Sequence, residues 1–227
     1  VMLSGFANAQ VKGEGSGVSF DEAQETFTAR YTHETVALAF AITEEAIEDN
    51  LYDRLASRYT KALARSMSNA KQVKAVEPLI QGLPLTDNFD SGDGVSLFNT
   101  SHPTVAGTFS NTLQTPADLN ETSLEQSLID IAAMTDERGL RIAARGLKMI
   151  IPSELQFTAE RLMKSQGRTG TADNDVNAIV SMGMIPQGYR VNNYLTDSDA
   201  YYILTDVPNG MKMFNRGSEE RRVGKEC

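Results

Sequence analysis

Leu147-Lys148-Met149-Ile150-Ile151-Pro152-Ser153-Glu154-Leu155-Gln156 is the stretch that decides the fold class. Its first half is a short apolar run, the signature of a buried strand, and it stops at Pro152, which has no N–H to give a ladder. Ser153 followed three residues later by Gln156 reads as a capping box. Behind it Leu155, Ala159, Leu162 and Met163 recur at helical spacing, and Gly167 supplies the stop. Working outward, Thr122-Ser123-Leu124-Glu125 reads as a second capping box, with Leu124, Leu128, Ile129 and Ala132 as the apolar face behind it. Asp175 can cap a shorter helix running through Ala178, Ile179 and Met182 to Gly183. Residues 201–205 and 211–214 read as strands on either side of the Pro208-Asn209-Gly210 turn. Helices and strands mixed without strict alternation indicate α+β.

Upstream the chain divides into three stretches. Residues 1–20 are rich in Gly and Ser, above all Gly13-Glu14-Gly15-Ser16-Gly17, and read as a connector or loop tip. From Glu25 to Ile42, Phe27, Ala29 and Tyr31 alternate with Thr26, Thr28 and Arg30. That pattern predicts a strand with one exposed face, continued by Val36, Leu38, Phe40 and Ile42 with a more buried character. Glu44 and Glu45 follow Thr43 as first-turn carboxylates, and Ile47, Leu51, Leu55, Tyr59, Leu63 and Met67 recur every four residues or so. One long helix is expected between Glu44 and Lys71, with Lys61, Arg65 and Lys71 near the end that favours cations. From Pro78 to Asn120 the chain is rich in turn-formers, with Asn88 through Gly92 and Asp93-Gly94 as turns. Short strands are expected near 95–98 and 105–109.

The 227 residues are 41% hydrophobic and carry a formal charge of −9, enough for a sizeable core and too little charge for wholesale disorder. The acidic balance argues against a nucleic-acid-binding surface, which needs clustered Lys and Arg. Val36 to Ile42 is the longest apolar run, well short of the ~20 residues that span a bilayer. The last residues, Ser218-Glu219-Glu220-Arg221-Arg222-Val223-Gly224-Lys225-Glu226-Cys227, abandon the preceding pattern. Residues 217–227 are read as the translation of a sequencing adapter. Setting them aside leaves the charge unchanged and removes the single cysteine. The chain begins at Val1, so both ends are expected to be cut.

No constellation for catalysis stands out. His33 and His102 are the only histidines. Ser101 and His102 are adjacent, and on an extended segment their side chains point to opposite faces, which forbids a nucleophile–base hydrogen bond. Gly15-Ser16-Gly17 lacks the spacing of a nucleophile elbow, and Gly13 to Gly17 lacks the Gly-Lys-Ser/Thr ending of a phosphate loop. Asp173, Asp175 and Asn177 match the first ligands of a calcium loop. Ala178 then stands where the sharp turn needs Gly, and Met184 where the bidentate Glu belongs, so caps and turns suit the cluster better. No catalytic residue, metal ligand or cofactor site is therefore expected.

A resemblance supplies what composition does not. Leu97-Phe98-Asn99-Thr100-Ser101-His102-Pro103 with Asn111-Thr112 resembles a segment of the major capsid (head) proteins of tailed bacteriophages. Ile151-Pro152-Ser153-Glu154-Leu155, Ala159-Glu160-Arg161-Leu162 and Thr171-Ala172-Asp173-Asn174-Asp175-Val176-Asn177-Ala178-Ile179 are similar to a second. Tyr194-Leu195-Thr196-Asp197 and Ile203-Leu204-Thr205-Asp206-Val207-Pro208-Asn209-Gly210 are similar to a third. The three occur in the family's order and cover roughly Gln24 to Arg216. The resemblance implies the phage capsid fold: an N-terminal segment with an extended loop in residues 1–35, a peripheral domain over 36–120 with the long helix as its spine, and an axial domain over 121–216. It implies a non-enzymatic subunit of the virion, assembled in the host bacterial cytoplasm into hexamers and pentamers of a shell around double-stranded DNA. Scaffold, protease and portal proteins are further implied partners, and no membrane is. In that fold the extended loop lies over a neighbouring subunit, which makes Glu25, Arg30 and Glu34 candidate interface residues. The family's chain continues past the 207–210 turn to complete the peripheral sheet, and it carries an N-terminal arm that is mostly absent here. Some members crosslink subunits through Lys and Asn, and no motif here assigns such a pair. An encapsulin-like compartment shell and an unrelated α+β hydrolase are the alternatives.

Overall fold

The computed structural model describes residues 4–29, 32–49, 52–83, 92–167, 175–208 and 210–214. Along the chain these form α1 (Glu44–Glu48), α2 (Tyr52–Gln81), β1 (His102–Thr104), β2 (Gly107–Phe109), α3 (Glu121–Ala133), β3 (Gly146–Ile151), α4 (Gln156–Lys164), α5 (Ala178–Ser181), β4 (Tyr189–Val191) and β5 (Tyr202–Thr205). Two compact units divide the chain, Val1–Arg30 with Lys71–Val207 and Tyr31–Ala70 with Pro208–Cys227. Helices and strands mix without a repeating βα order, so the class is α+β.

The larger unit is organised by β3, whose apolar run puts it in the centre of a three-stranded sheet of order β4-β3-β5. β4 lies parallel to it, with Met149 opposite Tyr189, and β5 antiparallel, with Ile150 opposite Tyr202. Successive strand side chains point to opposite faces, so both faces of β3 can be buried. Met149 and Ile151 lie in one core with Leu119, Leu124, Leu128, Ala159, Leu162, Ile179 and Ile185, contributed mainly by α3, α4 and α5. Ile150 and Tyr202 face the other side and pack with Val76, Leu79, Phe98 and Leu195. Full burial of side chains such as Met149, Ile151 and Leu124 stabilises the unit by ~1.5–3 kcal/mol each. Gly146 opens β3 because a Cβ there would come within 2.9 Å of Leu128 and 3.2 Å of Ile203.

α1 begins at Glu44 as expected, whereas α3, α4 and α5 start differently from the sequence expectation. Asn120, not Thr122, caps α3: its Oδ1 accepts from the Ser123 N–H at 2.8 Å, and the Ser123 hydroxyl accepts from the Asn120 N–H at 3.0 Å. Leu124, Leu128 and Ile131, at i, i+4 and i+7, share the buried face, and Ile129 and Ala132 fall off it and are exposed. Ser153 does not cap α4; its hydroxyl turns to Glu154, and the helix begins at Gln156 with no side-chain cap. α4 ends at Lys164, ahead of Gly167. Asn177 takes the role expected of Asp175, its Oδ1 accepting from Ile179 and Val180 while its Nδ2 donates to the Leu162 carbonyl at 2.8 Å. One buried side chain thereby starts α5 and ties it to the end of α4.

α2 runs to Gln81, well past Lys71, and takes Pro78 inside it. A proline there removes one helical hydrogen bond at a cost of ~3 kcal/mol. Burial of Val76 and Leu79 on either side of it offsets that cost, and the Tyr202 hydroxyl donates to the Leu79 carbonyl at 2.8 Å. Lys71 consequently lies mid-helix, and the last turn holds no cation. The helix stops at Gly82, where a Cβ would sit 2.5 Å from the Pro78 carbonyl and 2.9 Å from the Phe98 ring.

The smaller unit contains α1, with Glu44 and Glu45 in its first turn, and the first half of α2. Phe40 and Tyr59 stack at a tilt within it, 5.8 Å between centroids. No strand forms among the described residues of 25–42, and Val36, Leu38 and Phe40 are exposed rather than buried. Strand alternation needs a partner ladder, and no described strand of the chain supplies one. The strand expected at 211–214 is likewise not formed, and its Met211, Met213 and Phe214 are exposed. The strand expected near 105–109 forms as β2, but its hairpin partner is β1 at His102–Thr104 and not the expected 95–98, and the hairpin turns through Val105 and Ala106. Residues 217–227 lie outside the described residues.

Candidate functional site

The Leu97–Pro103 segment folds as a polar knot closed by Asn111. The Asn111 Nδ2 donates to the Leu97 carbonyl at 2.7 Å, and its Oδ1 accepts from the Asn99 N–H at 2.9 Å. Asn99 passes the network on, its Oδ1 accepting from the Ser101 N–H at 3.0 Å. His102 then opens β1 with its ring turned inward, Nδ1 2.7 Å from Oδ2 of Asp93, with the two side chains only 11% and 10% exposed. Asp93 sits in a turn whose Gly94 has φ +81°, which places its carboxylate under the hairpin. The second ring nitrogen, Nε2, is buried and has no hydrogen-bond partner among the described residues. Ser101 is exposed while His102 is buried, so the adjacent pair diverges as extended geometry requires. The Asp93–His102 pair is what sequence reasoning missed; the only signal was an Asp in a turn and a His nine residues on.

The N-terminal segment forms a closed loop. Ser4 and Gln24 exchange two hydrogen bonds, from the Ser4 N–H to the Gln24 carbonyl at 2.8 Å and from the Gln24 N–H to the Ser4 hydroxyl at 2.9 Å. Inside them the Ala7 N–H donates to Oδ2 of Asp21 at 2.6 Å, a contact that holds the Asp21 carboxyl below its ordinary range, with the nearby Arg138 adding a smaller pull. Arg138 grips both sides of the root, Nε donating to the Gly5 carbonyl at 3.1 Å and Nη2 to the Glu22 carbonyl at 2.9 Å. The tip turns at Gly13–Ser16, with Gly15 at φ +83°. Along this polar loop Val11 and Phe20 are 102% and 97% exposed, and Phe6 and Val18 are largely exposed too.

Of the interface residues expected from sequence, Glu25 is exposed in the larger unit and Glu34 exposed in the smaller; Arg30 lies outside the described residues. Asp173 also lies outside them, and Asp175 is exposed. No group of three or more His, Cys, Asp or Glu able to hold a metal occurs among the described residues. A Glu160–Lys164–Tyr189 trio joins α4 to β4, the Tyr189 hydroxyl and the Lys164 ammonium both donating to the Glu160 carboxylate, at 2.5 and 2.7 Å. Lys164 first and Tyr189 second hold the Glu160 carboxyl down; the same contacts push the other two groups up. Among the described residues no helix is long and apolar enough to cross a membrane.

Geometry thus gives a packed α+β body, a loop with open apolar side chains and a buried His–Asp pair. No curated protein and no solved structure matches the chain. The sequence profile of the family described as phage capsid protein matches residues 25–223. It covers the Leu97–Pro103 knot, the β3–α4 junction and the β5 region together. The chain belongs to the phage capsid protein family.

Proposed function

We propose that this chain is a subunit that self-assembles into the icosahedral head of a tailed phage, enclosing its double-stranded DNA. The family match over residues 25–223 carries this reading. In it the β3-centred body corresponds to an axial domain over 121–216, α2 to the spine of a peripheral domain over 36–120, and the N-terminal segment to the extended loop. Hexamers and pentamers of the chain itself are its partners, and the acidic balance suits a wall that contains DNA without gripping its bases. Its role is structural rather than enzymatic.

The exposed apolar side chains support the same reading. Val36, Leu38 and Phe40 lie open in a segment with strand alternation and no strand partner among the described residues. An unpaired segment of that kind is a hazard in a monomer and a joint in an assembly. Glu25, Arg30 and Glu34 are placed at such a contact; if changing all three to Ser leaves assembly untouched, they have no part in it. Electron microscopy of the purified protein tests the proposal. Closed shells or capsomer rings support it, and featureless monodisperse monomers at every concentration and salt oppose it.

A further inference from the structure

We infer that Arg138 is the positioning residue of the N-terminal loop, fixing the direction in which residues 4–24 leave the body. Its guanidinium bridges two backbone carbonyls, Gly5 on the outgoing strand of the loop and Glu22 on the returning one, at 3.1 and 2.9 Å. A planar fork of donors can hold two acceptors at a set separation, which a lysine ammonium on a flexible stem cannot. The fork is itself held. Arg138 lies in a tight turn in which Asp136 Oδ1 accepts from the Arg138 and Leu140 N–H groups, Gly139 takes φ +83°, and the Asp136 N–H donates to the Leu140 carbonyl. That turn leads back toward β3, so the root of the loop is referenced to the sheet. Asp21, clasping the Ala7 N–H at 2.6 Å, completes the closure beside the guanidinium.

Without Arg138, the described bonds closing the excursion that carries Val11, Val18 and Phe20 would be the Ser4–Gln24 pair and the Ala7–Asp21 contact, none of which ties it to the Asp136–Leu140 turn. On the shell reading, to which this part of the inference is tied, Arg138 presents those side chains to a neighbouring copy before contact and so speeds assembly. Pre-organisation of that kind removes ordering cost from the association step.

Hydrogen exchange on the full chain, followed by mass spectrometry, tests the clasp. In Arg138→Ala, peptides covering residues 4–7 and 21–26 should exchange about tenfold faster, the loss of roughly one hydrogen bond to a charged donor. The β3 peptide should keep its protection, and Arg138→Lys should rescue little. Unchanged exchange at residues 4–7 and 21–26 overturns the inference. Should Arg138→Ala also lose β3 protection, Arg138→Lys is read instead: faster exchange at residues 4–7 and 21–26 with β3 still protected supports the clasp, and no change there overturns it. Assembly is read separately by light scattering. Shell growth slowed about tenfold in the freed-loop variant supports presentation, and growth at the wild-type rate refutes that part. A wild-type chain that never assembles sinks the shell reading, while exchange still decides the clasp.

Discussion

Breaking the Asp93–His102 pair should cost far more than its surface location in a turn-rich segment suggests. Both side chains are about nine-tenths buried, and Nδ1 and Oδ2 approach to 2.7 Å. Asp93→Ala leaves the His102 ring with neither nitrogen partnered, since Nε2 already lacks one. Removing one member of a buried pair typically costs ~3–5 kcal/mol, because the other is left desolvated and alone. Asp93→Asn keeps the shape and one acceptor oxygen, so it should lose only the charge-assisted part, about 1–2 kcal/mol. The double variant Asp93→Leu with His102→Phe leaves neither member of the pair alone and costs the 3.3 Å bond from the part-buried Val95 N–H to Asp93, so it should be milder than either single truncation. Against a total stability of order 5–15 kcal/mol the Ala variant would be marginal at 37 °C. Urea unfolding followed by far-ultraviolet circular dichroism gives each value. The order Ala worst, Asn intermediate and double variant mild is the prediction. Costs under about 0.5 kcal/mol for both Asp93→Ala and His102→Ala, as at an exposed site, would refute the reasoning.

Other sites give independent checks. Met149→Ala in the centre of the sheet should cost ~2–5 kcal/mol, and Ile129→Ala on the open side of α3 within about 0.5, both by urea titration. Asn120→Ala removes the α3 cap and should cost ~1 kcal/mol, and Asn177→Ala more, because it also strands the Leu162 carbonyl; thermal melts rank them. Tyr202 supplies a pH signature. Burial first, and the charge of Asp197 second, push its hydroxyl up to about 12, against ~10 in the unfolded chain. A raised folded value means its contribution is intact below pH ~10 and lost as pH rises toward 12. Melts across that window should show a stability loss that is smaller in Tyr202→Phe.

What was legible in the sequence was the part decided locally. β3 is a continuous apolar run closed by a proline, and little besides a buried strand fits it. The body of α2 announced itself by period, as did Leu124, Leu128, Ala159 and Leu162 as buried positions. Helix starts were harder, because several Ser, Thr, Asn and Asp residues cluster before each helix and only tertiary packing selects among them. Ser123 serves as the third residue of a box whose cap is Asn120, two positions earlier than the pattern suggested. Pro78 hid the last ten residues of α2, since the burial of Val76 and Leu79 that outweighs it comes from residues distant in sequence, Phe98, Ile150, Leu195 and Tyr202. The 25–42 alternation is a strand pattern with no partner ladder among the described residues. Neither the Asp93–His102 pair nor the Arg138 clasp had a motif; both depend on turns that bring distant backbone together.

The most direct test of a shell-building role is the mass of the purified chain in solution, measured by static light scattering across concentration and salt. Megadalton particles, or discrete assemblies of five or six subunits, are the predicted result. A single 24.8 kDa species under every condition would contradict it.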